Sequence, residues 1–178
     1  MQPKHYEKKN IFLKFFLYID KFVSRMSTKP DSLLLVNDTG DTPLHFAVVH
    51  SNFHMLSSIF EHYPSAEISE VFSKYNKLGF TPYLIACALL HPSTSREVQI
   101  VKTIFGFPGL SSQFSKPTEG NPYTKSPLLM AASYGNQLAV EILIQLDSEI
   151  DYQDEQGNTP LILATQNDHQ AVVQILSK

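Results

Sequence analysis

One cysteine, seven histidines and a knot of carboxylates are the groups in this 178-residue chain that could do chemistry. Cys87 would act as a nucleophile only as a thiolate beside a base that a third group orients. It lies in Ile85-Ala86-Cys87-Ala88, a small-residue stretch of a helix, which points to inert packing. His50 and His54 have the four-residue spacing of a metal pair on one helix face, but a turn expected at Ser51-Asn52 separates them and spoils the shared face. Asp147, Glu149, Asp151, Asp154 and Glu155 suggest a calcium loop, yet Asp151 to Gly157 does not fit D-x-[DN]-x-[DN]-G. A solvated loop is expected there, or an acidic tip that steers a basic partner. The chain has no G-x-S-x-G, no phosphate-cradling glycine loop and no H-E-x-x-H. It therefore reads as no enzyme, with no catalytic residue, cofactor or metal expected.

What organises the chain is a recurring helix start: Thr42-Pro43-Leu44-His45, Thr81-Pro82-Tyr83-Leu84, Ser126-Pro127-Leu128-Leu129 and Thr159-Pro160-Leu161-Ile162. A Thr or Ser hydroxyl can accept from an orphan amide of the first turn, and proline presets φ at the first helical position. Two residues upstream, Gly40, Gly79 and Gly157 stand where the entering turn needs positive φ, while the third unit carries Thr124 there. Successive starts lie 39, 45 and 33 residues apart.

The 33-residue step and the T-P-L-H-x-A phrase resemble ankyrin repeats. The likeness continues in Ala131-Ala132-Ser133-Tyr134-Gly135-Asn136 followed by Ala139-Val140-Glu141-Ile142-Leu143-Ile144, an inner helix, a tight turn and an outer helix, and it covers roughly 37–178. It implies an all-α solenoid of helix-turn-helix units with short β-hairpin fingers, in repeats of about 37–75, 76–120, 121–153 and 154–178. It also implies that His45 is structural, bonding between finger and helix. The longer steps place insertions in the finger around Glu67 to Lys74, between the helices at His91 to Ser95, and after Phe105, where Gly106, Pro108, Gly109 and Pro117 oppose regular structure.

Residues 1–29 carry seven Lys or Arg against two acids, net +5, and the remainder is net −8. Phe12, Phe15, Phe16, Ile19, Phe22, Val23 and Met26 recur at helical spacing, so residues 1–36 read as an N-terminal capping helix and degenerate half repeat. The competing reading docks this helix on an anionic membrane surface. A secretory signal fits poorly because Lys14 interrupts the apolar run, and no stretch approaches the roughly 20 apolar residues of a membrane span. A single cysteine suggests a reducing, cytoplasmic compartment. At the other end, Leu161, Leu163 and Val172 look like residues awaiting a neighbour.

The resemblance implies non-catalytic recognition of another protein on the concave face, through fingertips and the exposed ends of inner helices. Carried onto this sequence, the candidate partner-binding residues are Asp38, Asp41, His50, Lys77, Leu78, Phe80, Tyr123, Lys125, Tyr134, Glu155, Gln156, Asn158 and Asn167. Val49, Leu89, Ser133 and Gln166 fall at neighbouring positions. A monomer is expected, and a net −8 array should repel nucleic acid. The alternative is a targeting module for an enzymatic domain beyond residue 178, as in bacterial effectors of the ankyrin-repeat type, which would place it in host-cell cytoplasm.

Overall fold

Thr42, Thr81 and Thr159 have extended backbones, and their hydroxyls accept from the amides of His45, Leu84 and Ile162, so each Thr-Pro pair starts a helix as its chemistry dictates. Ser126 has the same extended backbone without a side-chain cap bond. The computed structural model describes residues 33–106, 126–146 and 148–178. The segment 1–32, Tyr123, Lys125, Asp147 and most of the insertion after Phe105 lie outside the described residues, and with them nearly all of the expected capping helix.

Nine helices form among the described residues: α1 Pro43–Val49, α2 Phe53–His62, α3 Ser65–Phe72, α4 Pro82–Leu89, α5 Ser95–Phe105, α6 Pro127–Ser133, α7 Gln137–Gln145, α8 Pro160–Gln166 and α9 Gln170–Leu176. No strand forms among them. Helices α1, α4, α6 and α8 pack in one row, each on the next, and α2, α5, α7 and α9 form a second row behind it. Ala47, Ala86, Ala131 and Ala164 are fully buried at equivalent places in the first row, small enough for neighbouring backbones to approach closely. Leu56, Ile59, Val101, Ile104, Phe105, Val140, Leu143 and Val172 fill the space between the rows. Helices of seven to eleven residues are marginal alone, so their stability comes from these neighbours. Val172 is thus already covered within the described stack, whereas Leu161 stays partly exposed.

One insertion differs from its sequence reading. The extra residues around Glu67 to Lys74 form no widened finger loop but, from Ser65, the helix α3, which packs against α1, α2 and α4. The physical reason is the spacing of Ile68, Val71 and Phe72, three and four residues apart, which gives the segment one apolar face, and all three are buried. Phe72 lies 6.5 Å from Phe60, centroid to centroid. The second insertion behaves as read: after α4 the chain crosses by a loop to Thr94, which caps α5 reciprocally with Glu97.

Tight turns join the other inner and outer helices. Ser51, Gly135 and Asp168 have φ of 48°, 71° and 58°, and the next amide returns to the buried alanine, at 2.8 Å from Asn52 to Ala47, 2.9 Å from Asn136 to Ala131 and 2.9 Å from His169 to Ala164. At Gly135 a Cβ would lie 2.5 Å from Nδ1 of His169, whose Nε2 is held 3.0 Å from the Ser133 carbonyl. Gly135→Ala therefore combines left-handed strain with a collision against a pinned ring. We expect it to lower the unfolding free energy by about 2 kcal/mol or more in urea titrations.

Candidate partner-binding surface

Each of the three described fingers is built on one side chain. Oδ1 of Asn37 accepts from the amides of Thr39 and Asp41 at 3.0 and 2.8 Å. Asn76 repeats this with Leu78 and Phe80, both at 3.0 Å, and Asp154 with Gln156 and Asn158 at 3.0 and 2.8 Å. The backbone closes each turn through Gly40, Gly79 and Gly157, all with φ between 75° and 79°. These loops are single hairpin turns, too short for a strand ladder. The recurring signal, Asn or Asp three residues before the glycine, is present in the sequence but was not among the features read from it. Asn121 stands at the same distance from Ser126 in the third finger, outside the described residues.

The first two fingers are joined. Asn76 Nδ2 donates to Asp41 Oδ1 at 2.7 Å, and the Lys77 amide donates to the Thr39 carbonyl at 3.0 Å. Thr39 Oγ1 also donates to Asp41 Oδ2. Burial works against the Asp41 charge, but the bonds from Thr39, Asn76 and Asn37 and the nearby His45 outweigh it and hold the carboxyl below its ordinary range. Asp154 is likewise held low, chiefly by the Asn158 side chain.

His45 is buried between finger and helix. Its Nδ1 accepts from the Thr42 amide at 3.1 Å, which fixes the proton on Nε2 and lets Nε2–H donate to the Phe80 carbonyl 3.0 Å away. This is the structural role that the resemblance implied.

Two outer-helix N-caps, His169 and Asn136, reach back to the inner helix of the preceding repeat. Asn136 Nδ2 donates to the carbonyls of Cys87 and Leu90, both at 3.0 Å. Cys87 is fully buried and burial pushes its thiol well up, so it stays protonated and is poorly suited to nucleophilic work. His50 caps α1 and His54 belongs to α2, across the turn at Ser51-Asn52. Among the described residues no three His, Cys, Asp or Glu side chains gather in a way that could hold a metal ion. No described helix is long and apolar enough to cross a membrane.

The candidate residues fall into two groups. Asp41 is engaged in the joint between fingers, Asn158 is tied to Asp154 at 3.0 Å, and Phe80 is half-buried with its carbonyl on His45. Asp38, Lys77, Leu78, Glu155 and Gln156 are exposed on the fingers, Leu78 at 67%. His50, Tyr134 and Asn167 are exposed at the ends of inner helices, each seven residues after its helix-starting proline. Leu89 occupies the same place after Pro82. One residue from each inner helix therefore makes an exposed row, His50, Leu89, Tyr134 and Asn167, with Tyr134 at 52% and Leu89 at 37%. His50 stacks on Phe46 at 4.0 Å between centroids, and Asn167 Nδ2 donates to its own helix at Leu163.

Comparison with known proteins agrees with this architecture. Residues 94–178 match the family model for ankyrin repeats (3 copies). Rabankyrin-5 of Mus musculus is 35% identical over 52 residues, which make up 29% of this chain and 4% of the relative, so the chain corresponds to a small part of that protein. Residues 94–178, with their proline-started inner helices, backward-reaching polar caps and glycine-closed finger, are ankyrin repeats, and the helix pairs before them are built in the same way.

Proposed function

We propose that the chain is a non-catalytic docking module that holds another protein across its fingertips and the exposed ends of its inner helices. Ankyrin repeats are general protein–protein interaction modules, which is the broad basis of this reading. The observation that carries it is the row His50, Leu89, Tyr134 and Asn167: one position, repeated on four packed helices, exposed and uncharged at neutral pH, with a leucine and a tyrosine at its centre. Large side chains in such central positions are the anchors that dominate binding energy elsewhere. The polar groups nearby are bonded into the scaffold, so the first, second and fourth fingers are already ordered before a partner arrives and less entropy is lost on binding. The net −8 of the chain beyond residue 29 argues against nucleic acid as the partner.

The test compares the wild type with a Leu89→Ala, Tyr134→Ala variant in affinity capture from eukaryotic lysate, followed by titration of any prey retained. At least a tenfold loss of affinity for the principal prey, with unchanged urea melting, supports the reading. Identical prey and affinities for both proteins overturn it.

A further inference from the structure

None of the four inner helices α1, α4, α6 and α8 carries a Lys, Arg, Asp or Glu, so the charge near the exposed row at their ends comes from the fingers and from Asp168, which follows Asn167. The first finger holds Asp38 and Asp41, and the fourth holds Asp154 and Glu155. Between them, the second finger has Lys77. Among the described residues the pattern is anionic at both ends of the stack and apolar in the middle, where Lys77 discourages a cation. Asp41 and Asp154 are locked by donors of their own and neighbouring fingers, so their charges are fixed in place before anything docks. Asp38 and Glu155 project beside them, exposed.

We infer that the occupant of this face is a cationic segment of a partner protein: large apolar side chains seat on Leu89 and Tyr134, and Lys or Arg residues on either side meet the carboxylates of the first and fourth fingers. This rests on the proposed docking face and adds to it the chemistry of the guest. Three stacking steps of about 8–10 Å separate the first inner helix from the last. An extended chain rising about 3.3 Å per residue covers that distance in about eight residues. A segment of about a dozen residues therefore reaches both acidic ends. Charge of this kind sets partner choice and association rate more than raw affinity, so the interaction is salt-sensitive.

A display library of random twelve-residue peptides, selected on the intact chain, tests the inference without assuming a partner. Enriched peptides are measured by fluorescence anisotropy at low and high salt against three proteins: the wild type, Asp38→Asn with Glu155→Gln, and Leu89→Asp with Tyr134→Ala. We expect peptides of net positive charge with Phe, Leu, Met or Trp near the middle, weakened about tenfold between 50 and 300 mM salt, about threefold by the charge variant and below detection by the apolar-row variant. Neutral or acidic peptides that still depend on Leu89 and Tyr134 overturn the cationic guest while leaving the docking face standing. Peptides indifferent to both variants overturn the two together, and a selection that enriches nothing overturns the cationic guest.

Discussion

Replacing Asn136 by alanine should remove about 3 kcal/mol of stability, more than any other polar substitution at an outer-helix cap. The side chain is 1% exposed and works in both directions. Its Oδ1 accepts from the Ala139 amide at 3.2 Å, capping α7, while its Nδ2 ties the carbonyls of Cys87 and Leu90 at the end of α4. Losing a cap costs about 1 kcal/mol, and each buried carbonyl left without its donor about 1 kcal/mol more. Asn52, at the equivalent cap of α2, accepts from Met55 at 3.0 Å and is half-buried, so Asn52→Ala should cost about 1 kcal/mol. Asn136→Asp separates the two functions, since it keeps the cap acceptor and loses the donors. Urea titrations of the three variants should rank Asn136→Ala as the most damaging, with Asn136→Asp well below wild type. An Asn136→Ala protein no weaker than Asn52→Ala would mean that the tie to α4 contributes nothing.

The features legible in the sequence were those set by local rules. A Thr-Pro start needs only the hydroxyl, the amide three residues on and a fixed φ, and all of these lie within four residues. The turns at Gly40, Gly79 and Gly157 were legible in the same local way, from glycine at positive φ. Helix α3 was hidden by a different rule, that insertions become loops, although Ile68, Val71 and Phe72 already had helical spacing in the sequence. The ties between repeats had no local signature, because Asn76 meets Asp41 across 35 residues and Asn136 meets Leu90 across 46. Those same ties decided which candidate residues stay exposed. Asp41 and Asn158 look like surface polar groups in sequence, yet each is drawn into the scaffold by a neighbour, and Phe80 sits where its carbonyl must meet His45. Leu89 joins the exposed row because α4 runs one residue longer than the other inner helices before its loop begins.

The buried histidine carries the second large expectation, and it depends on pH. His45→Ala deletes a ring that is fully buried, together with its acceptor for Thr42 and its donor for Phe80, and should cost about 3 kcal/mol at pH 7.5. In the wild type, burial pulls the imidazole below its ordinary value, and this outweighs the opposing pull of the Phe80 carbonyl and the Asp41 charge. Protonation would also put a hydrogen on Nδ1, against the Thr42 amide. The unfolded chain therefore binds a proton more readily than the folded one, so stability is full above about pH 6.5 and falls as pH drops below it. The carboxylates Asp41 and Asp154, held low in the folded chain, lose their contribution only in a separate, more acidic window, near and below about pH 4. Partial burial also pulls His50 below its ordinary value, so His50→Gln serves as the control. Urea midpoints between pH 7.5 and 5 should fall in the wild type and in His50→Gln, and much less in His45→Asn, which starts lower and has no imidazole at that position. Parallel profiles for wild type and His45→Asn would show that the ring is not held neutral, and would remove the reason for assigning its Nε2 proton to the Phe80 carbonyl.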